Sequence, residues 1–130
     1  MQFAKWVFRI AGIYGIVTVA PLYFLEGAIT RATGPISHPE YFYGFVGLCV
    51  VWQILFLLIS SDPSRWRPAM PVAVLEKLSF SLPVLALYVA RRVDSGVTVF
   101  ASVDLVWAAL FVTAFLRSEA PARTEVQRPR

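Results

Sequence analysis

Apolar residues fall in four long stretches, approximately Lys5–Glu26, Tyr41–Ser60, Met70–Ala90 and Val97–Leu116, separated by short segments rich in Pro, Gly and charge. Soluble core helices are rarely this long and this apolar on every face. Each stretch is close to the roughly 20 residues a helix needs to cross about 30 Å of hydrocarbon at about 1.5 Å per residue. The pattern predicts an all-α integral membrane bundle of four transmembrane helices over residues 1–116, with both termini on the same side. A polar, flexible tail rich in Arg, Glu and Pro is expected over residues 117–130. The first stretch reads as a span and not as a cleaved signal peptide. Its apolar part is long, and no A-x-A-like site follows, only Pro21 and then Glu26.

The segments between the stretches carry stop and start signals. Gly27–Glu40 contains the turn signal Gly34-Pro35, and Ser37-His38-Pro39-Glu40 reads as a capping box opening the second span. Ser61–Ala69 holds Asp62-Pro63-Ser64-Arg65-Trp66-Arg67-Pro68, whose prolines break helix and whose Trp66 suits a membrane–water interface. Arg91–Gly96 is short enough to force the third and fourth spans into an antiparallel hairpin, with Ser95 as the expected N-cap.

Composition strengthens the membrane assignment. Apolar types make up 58% of the 130 residues and charged types 15%, against about a quarter charged in soluble domains. A net charge of +4 does not point to nucleic acid, because the basic residues build no stripe on a polar face. They suit anionic membrane lipids instead. Eight of the twelve Lys and Arg residues (Lys5, Arg9, Arg65, Arg67, Arg117, Arg123, Arg128 and Arg130) fall on the side of the termini and the second connection. Arg31, Arg91 and Arg92 fall on the other side, and Lys77 lies within a span. The bias predicts cytoplasmic N- and C-termini in a bacterial inner membrane.

Charges inside the spans are the natural candidates for function, since each costs about 2.5–3.5 kcal/mol on insertion scales. Counted from the cytoplasmic face at about 1.5 Å per residue, Arg9 lies about 6 Å deep, while Gln53, Glu76 and Lys77 lie about 10 Å deep. These four are expected to form one layer. It is either a polar pocket open to the cytoplasm with Glu76 as proton acceptor or ligand contact, or a structural arrangement. In the structural version, favoured here, Arg9 pairs with Glu76, Lys77 snorkels to the head groups and Gln53 bridges helices. Adjacent residues diverge by about 100° on a helix, which argues against Glu76 and Lys77 both facing the centre. Ser79 and Pro83 share a face with Glu76, and Pro83 frees the carbonyl of Ser79, so a cavity beside the proline is the corresponding functional expectation. Asp104 lies about 10 Å in from the outer face, level with Thr18 and with no cation at its depth. It reads as an isolated carboxyl, bonded internally or used as a contact.

Tyr41, Phe42, Tyr43, Trp6 and Tyr88 take interfacial positions. Trp52 and Trp107 are deeper; packing is their simpler use, and flanking a planar ligand such as a quinone or pigment is the functional alternative. Ala11 with Gly15, and Gly44 with Gly47, offer close helix contact. Cys49 is the single cysteine and reads as a small buried hydrophobe. His38, beside Pro39, reads as part of a capping turn. No nucleophile elbow, phosphate loop or metal-ligand spacing occurs, no catalytic residue is assigned, and nothing in the sequence names a cofactor.

Several runs, Tyr41-Phe42-Tyr43-Gly44-Phe45, Trp52-Gln53, Asp62-Pro63-Ser64-Arg65-Trp66-Arg67-Pro68 and Leu75-Glu76-Lys77-Leu78-Ser79-Phe80, resemble small four-helix bacterial inner-membrane proteins, similar in architecture to the DoxX-like group. The resemblance spans roughly residues 38–116 and implies fold and location without implying chemistry. The Cys motifs of redox-linked DoxX-like proteins are missing. The Arg65-Trp66-Arg67 loop has its own reading as a contact for an anionic head group or an acidic partner. The leading functional expectation is an accessory or structural subunit packed against a larger membrane complex, such as a respiratory or photosynthetic one, with Asp104 and that loop as contacts. The alternative is a small lipid- or quinone-handling membrane enzyme or transporter with a polar pocket around Glu76, using Lys77 or Arg9 as charge partner.

Overall fold

A computed structural model describes residues 1–118, so nearly all of the polar tail expected from residue 117 lies outside the described residues. Four helices are long and apolar enough to cross a membrane: Gln2–Phe24, Pro39–Ser61, Arg67–Val89 and Ser95–Arg117, each 23 residues. The chain is therefore an all-α, multi-pass membrane bundle. The α-helical parts are α1 (Gln2–Val19), α2 (Glu26–Thr33), α3 (Pro39–Ser61), α4 (Met70–Val89) and α5 (Ser95–Arg117). α1 tightens into a 3₁₀ segment over Ala20–Phe24, with Pro21 in its first turn.

The connection after the first span is more ordered than its turn signals imply. α2 is short and polar, with Glu26 in its first turn and Arg31 in its last, the arrangement that suits the helix dipole. Gly34 ends it at φ 91°, a conformation that a side chain disfavours. Tyr43 donates to the Glu26 carboxylate at 2.5 Å, tying α2 to α3. The expected capping box does not form. α3 starts at Pro39, His38 takes the N-cap position without a side-chain cap bond, and Glu40 turns to the His38 ring at 3.2 Å. At the last hairpin Asp94, not Ser95, is the N-cap, accepting from the Val97 N–H at 3.1 Å. A carboxylate one position earlier captures the donor that the Ser95 hydroxyl was expected to take.

Two antiparallel pairs make up the bundle. α1 packs closely along α3, and α4 along α5, whereas α3 and α4 barely touch. The pairs meet tightly at the end where the described chain starts and stops. There Phe8 stacks on Phe111 (centroids 4.3 Å apart, planes 15°) and Phe56 meets Phe111 edge-on at 5.0 Å. Ala4, Ala11, Ala73 and Ala114 let the backbones close around these rings. Lipid tails are as apolar as the side chains, so this contact rests on van der Waals packing and not on escape from water. Arg67 closes the same end. Its Nε donates to the Ser118 carbonyl at 2.7 Å, and its guanidinium lies 4.0 Å from the Phe115 ring centroid.

Candidate ligand-binding cavity

Toward the opposite end the two pairs separate and leave a partly enclosed cavity of about 520 Å³. Its position follows from the sequence. The aromatic plug of Phe8, Phe56 and Phe111 occupies the terminal half, and no comparable set of large inward residues fills the other half. Trp52, Trp107, Tyr14, Phe45, Phe80 and Phe100 supply aromatic walls, and Leu22 and Val97 reach its outer part.

The floor is charged. α4 buries Met70, Ala73, Lys77, Ser81 and Val84, a helical face on which Lys77 is flanked by small residues. The Lys77 Nζ lies 3.2 Å from Asp104 Oδ1 and 3.3 Å from Glu76 Oε2, and 5.3 Å from the Phe56 ring centroid. Exposure of the three side chains is only 8%, 18% and 11% for Lys77, Asp104 and Glu76. Lys77 thus sits between two carboxylates in the middle of the bundle and does not snorkel. Glu76 and Lys77 do diverge at their Cα atoms, but both are long enough for their tips to meet.

Asp104 is correspondingly not isolated. It lies nine residues from the start of α5, about 13 Å, and Lys77 lies twelve residues from the end of α4, about 18 Å. The offset of about 5 Å is within reach of a lysine stem, whereas the depths expected from sequence were counted from one face for Lys77 and from the other for Asp104. Arg9 does not join the layer. The inward face of α1 is Ala4, Val7, Phe8, Ala11, Gly12 and Gly15, which turns Arg9 outward, 5.4 Å over the Trp6 ring. Of the expected layer, Gln53, Glu76 and Lys77 line the cavity together, the Arg9–Glu76 pair does not form, and Asp104 joins them instead.

Gln53 is buried at the cavity floor, donating from Nε2 to the Cys49 carbonyl at 3.0 Å. Its side chain lies directly against Gly15, where any Cβ would collide with the amide. Gly15 was legible as a small residue for helix contact, but its use in seating Gln53 was not. Cys49 is only half-buried and lines the cavity, instead of being sealed in the core. Pro83 is exposed and not on the cavity wall, so the cavity does not lie beside the proline as expected. Tyr14, Thr18, Phe45, Phe80 and Phe100 were missed as wall residues, since nothing in a uniformly apolar stretch distinguishes a cavity wall from a lipid-facing surface. In the loop, Arg67 is committed to the end of α5, while Arg65 is exposed, 5.7 Å over Trp66. Trp66 is partly buried against the core cluster, which leaves Arg65 as the exposed basic residue of the loop.

Fold and site together define a multi-pass helical membrane protein with a charged-floor, aromatic-walled cavity between two helix pairs. Compared with known proteins, the chain matches no family model, and no curated protein or solved structure is significantly similar to it. The DoxX-like resemblance thus has no support from these comparisons.

Proposed function

We propose that this protein binds an amphipathic small molecule in the cavity between the α1/α3 and α4/α5 pairs, the polar part on the Glu76–Lys77–Asp104 floor and the apolar part among the aromatic walls. The observation that carries this reading is the cavity itself. At about 520 Å³ it falls within the size of sites that hold drug-sized ligands, and it combines apolar walls with a few convergent polar groups, as such sites do. Three buried charges of this kind are costly in a membrane and are by default functional. This favours the lipid- or quinone-handling class. The Lys/Arg bias supports a bacterial inner membrane with cytoplasmic termini, so the cavity faces away from the cytoplasm.

Thermal unfolding of the purified chain with added amphipaths tests the reading. A molecule that binds the folded state raises the midpoint as its concentration rises through Kd. The expected result is a saturable rise with a short-chain lipid or quinone analogue, absent in Thr18→Trp, where an indole takes up space in the cavity. No rise with any amphipath, or an equal rise in Thr18→Trp, would overturn it. The accessory-subunit reading is second, supported by the broad apolar exterior that includes Val17, Phe24, Leu48, Val89 and Leu116. Such a surface serves lipid equally well.

A further inference from the structure

We infer that the cavity selects a lipophilic cation, such as an amine or quaternary centre carried on an apolar or aromatic body, and rejects anions of the same shape. This rests on the binding function proposed above and names the class of ligand. The first ground is charge. Two carboxylates and one ammonium meet at the floor, so with all three ionised it carries one uncompensated negative charge. Fields from such a charge act strongly where water is excluded. A cation arriving at the floor completes the balance, and an anion doubles the excess.

The second ground is which polar atoms remain open. The Lys77 ammonium is held between Glu76 and Asp104, with the Phe56 ring beside it. Its charged neighbours are both carboxylates, so an anion that approaches it also approaches two negative groups. The Gln53 amide donates to the Cys49 carbonyl, the Ser81 hydroxyl to the Lys77 carbonyl at 2.7 Å, and the Thr18 hydroxyl to the Tyr14 carbonyl at 2.9 Å. Two carboxylates against one ammonium leave the floor richer in charged acceptors than in charged donors. Glu76 Oε2 is buried, 3.3 Å from the Lys77 Nζ, an ion-pair contact on one side only. The third ground is the wall. Trp52, Trp107, Phe45, Phe80 and Phe100 present aromatic rings around the space above the floor, and aromatic faces attract cations most strongly where the site is desolvated.

Tetraphenylphosphonium and tetraphenylborate share one shape and differ in the sign of their charge, which isolates the claim. Equilibrium dialysis of the detergent-solubilised chain against protein-free micelles measures specific binding of each. Saturable binding of the phosphonium is expected, tighter than the borate by about tenfold or more. Asp104→Asn should weaken the phosphonium by about tenfold or more and leave the borate no weaker. If Asp104→Asn does not fold, Glu76→Gln is read in its place and carries the same expectation. Equal or tighter borate binding overturns the inference, as does phosphonium binding that neither substitution weakens. If neither ion saturates the chain while an uncharged amphipath still raises the unfolding midpoint, selection for cations fails and the cavity reading stands. If the midpoint does not respond either, both fail.

Discussion

Lys77 holds the centre of the bundle through charge. Removing it leaves Glu76 and Asp104 facing one another in a low-dielectric site, and breaking a buried pair in this way costs about 3–5 kcal/mol. Lys77→Met should therefore lower thermal stability severely. Lys77→Met with Glu76→Gln and Asp104→Asn should recover most of the loss, because no unpaired charge remains; thermal unfolding of the two variants checks this. Gly15 gives a second residue-scale expectation. A methyl there collides with the Gln53 amide, and overpacking of this kind costs about 1–3 kcal/mol. Adding Gln53→Ala should relieve it, measured as coupling in a double-mutant cycle. At this scale the sequence was partly readable. Burial cost singled out Arg9, Gln53, Glu76, Lys77 and Asp104; the last four line the cavity, and Arg9 does not. Their partners were not readable, because pairing depended on helix rotation. The face through Met70, Ala73, Lys77, Ser81 and Val84 was present in the sequence as a spacing, while of Glu76, Ser79 and Pro83 the first two line the cavity and Pro83 does not.

Among the elements, α5 is held at both ends by side chains from outside its own apolar run. Asp94 caps its start, and Arg67, from the loop that leads into α4, caps its end. Asp94→Ala should cost about 1 kcal/mol. Arg67→Ala removes charge-assisted bonds to backbone carbonyls, worth about 1.5–3 kcal/mol. Arg67→Lys should restore little of that, because an ammonium lacks the planar fork that reaches Ser118 while stacking on Phe115. Melting midpoints of the three variants decide both points. The spans themselves were evident from length and hydropathy to within a few residues. α2 was not, since eight residues with a glycine, two threonines and two charges resemble a loop until Tyr43 fixes Glu26.

The whole molecule is asymmetric along its long axis, sealed by aromatic packing at one end and parted around a charged floor toward the other. Four equivalent apolar stretches carry no mark of that asymmetry. It arises from where large rings and small residues coincide across helices that are distant in sequence, as Phe8, Phe56 and Phe111 do. A cavity held between two stiff helix pairs, floored by charge and walled by aromatic rings, is the feature from which the functional proposal follows. Native mass spectrometry of the chain purified in mild detergent tests it most directly. The expected spectrum shows the chain alone with one bound small molecule, and Thr18→Trp shows the same chain bare. A wild-type chain that carries no small molecule and runs instead in fixed ratio with a larger membrane protein would contradict the proposal and favour the accessory-subunit reading.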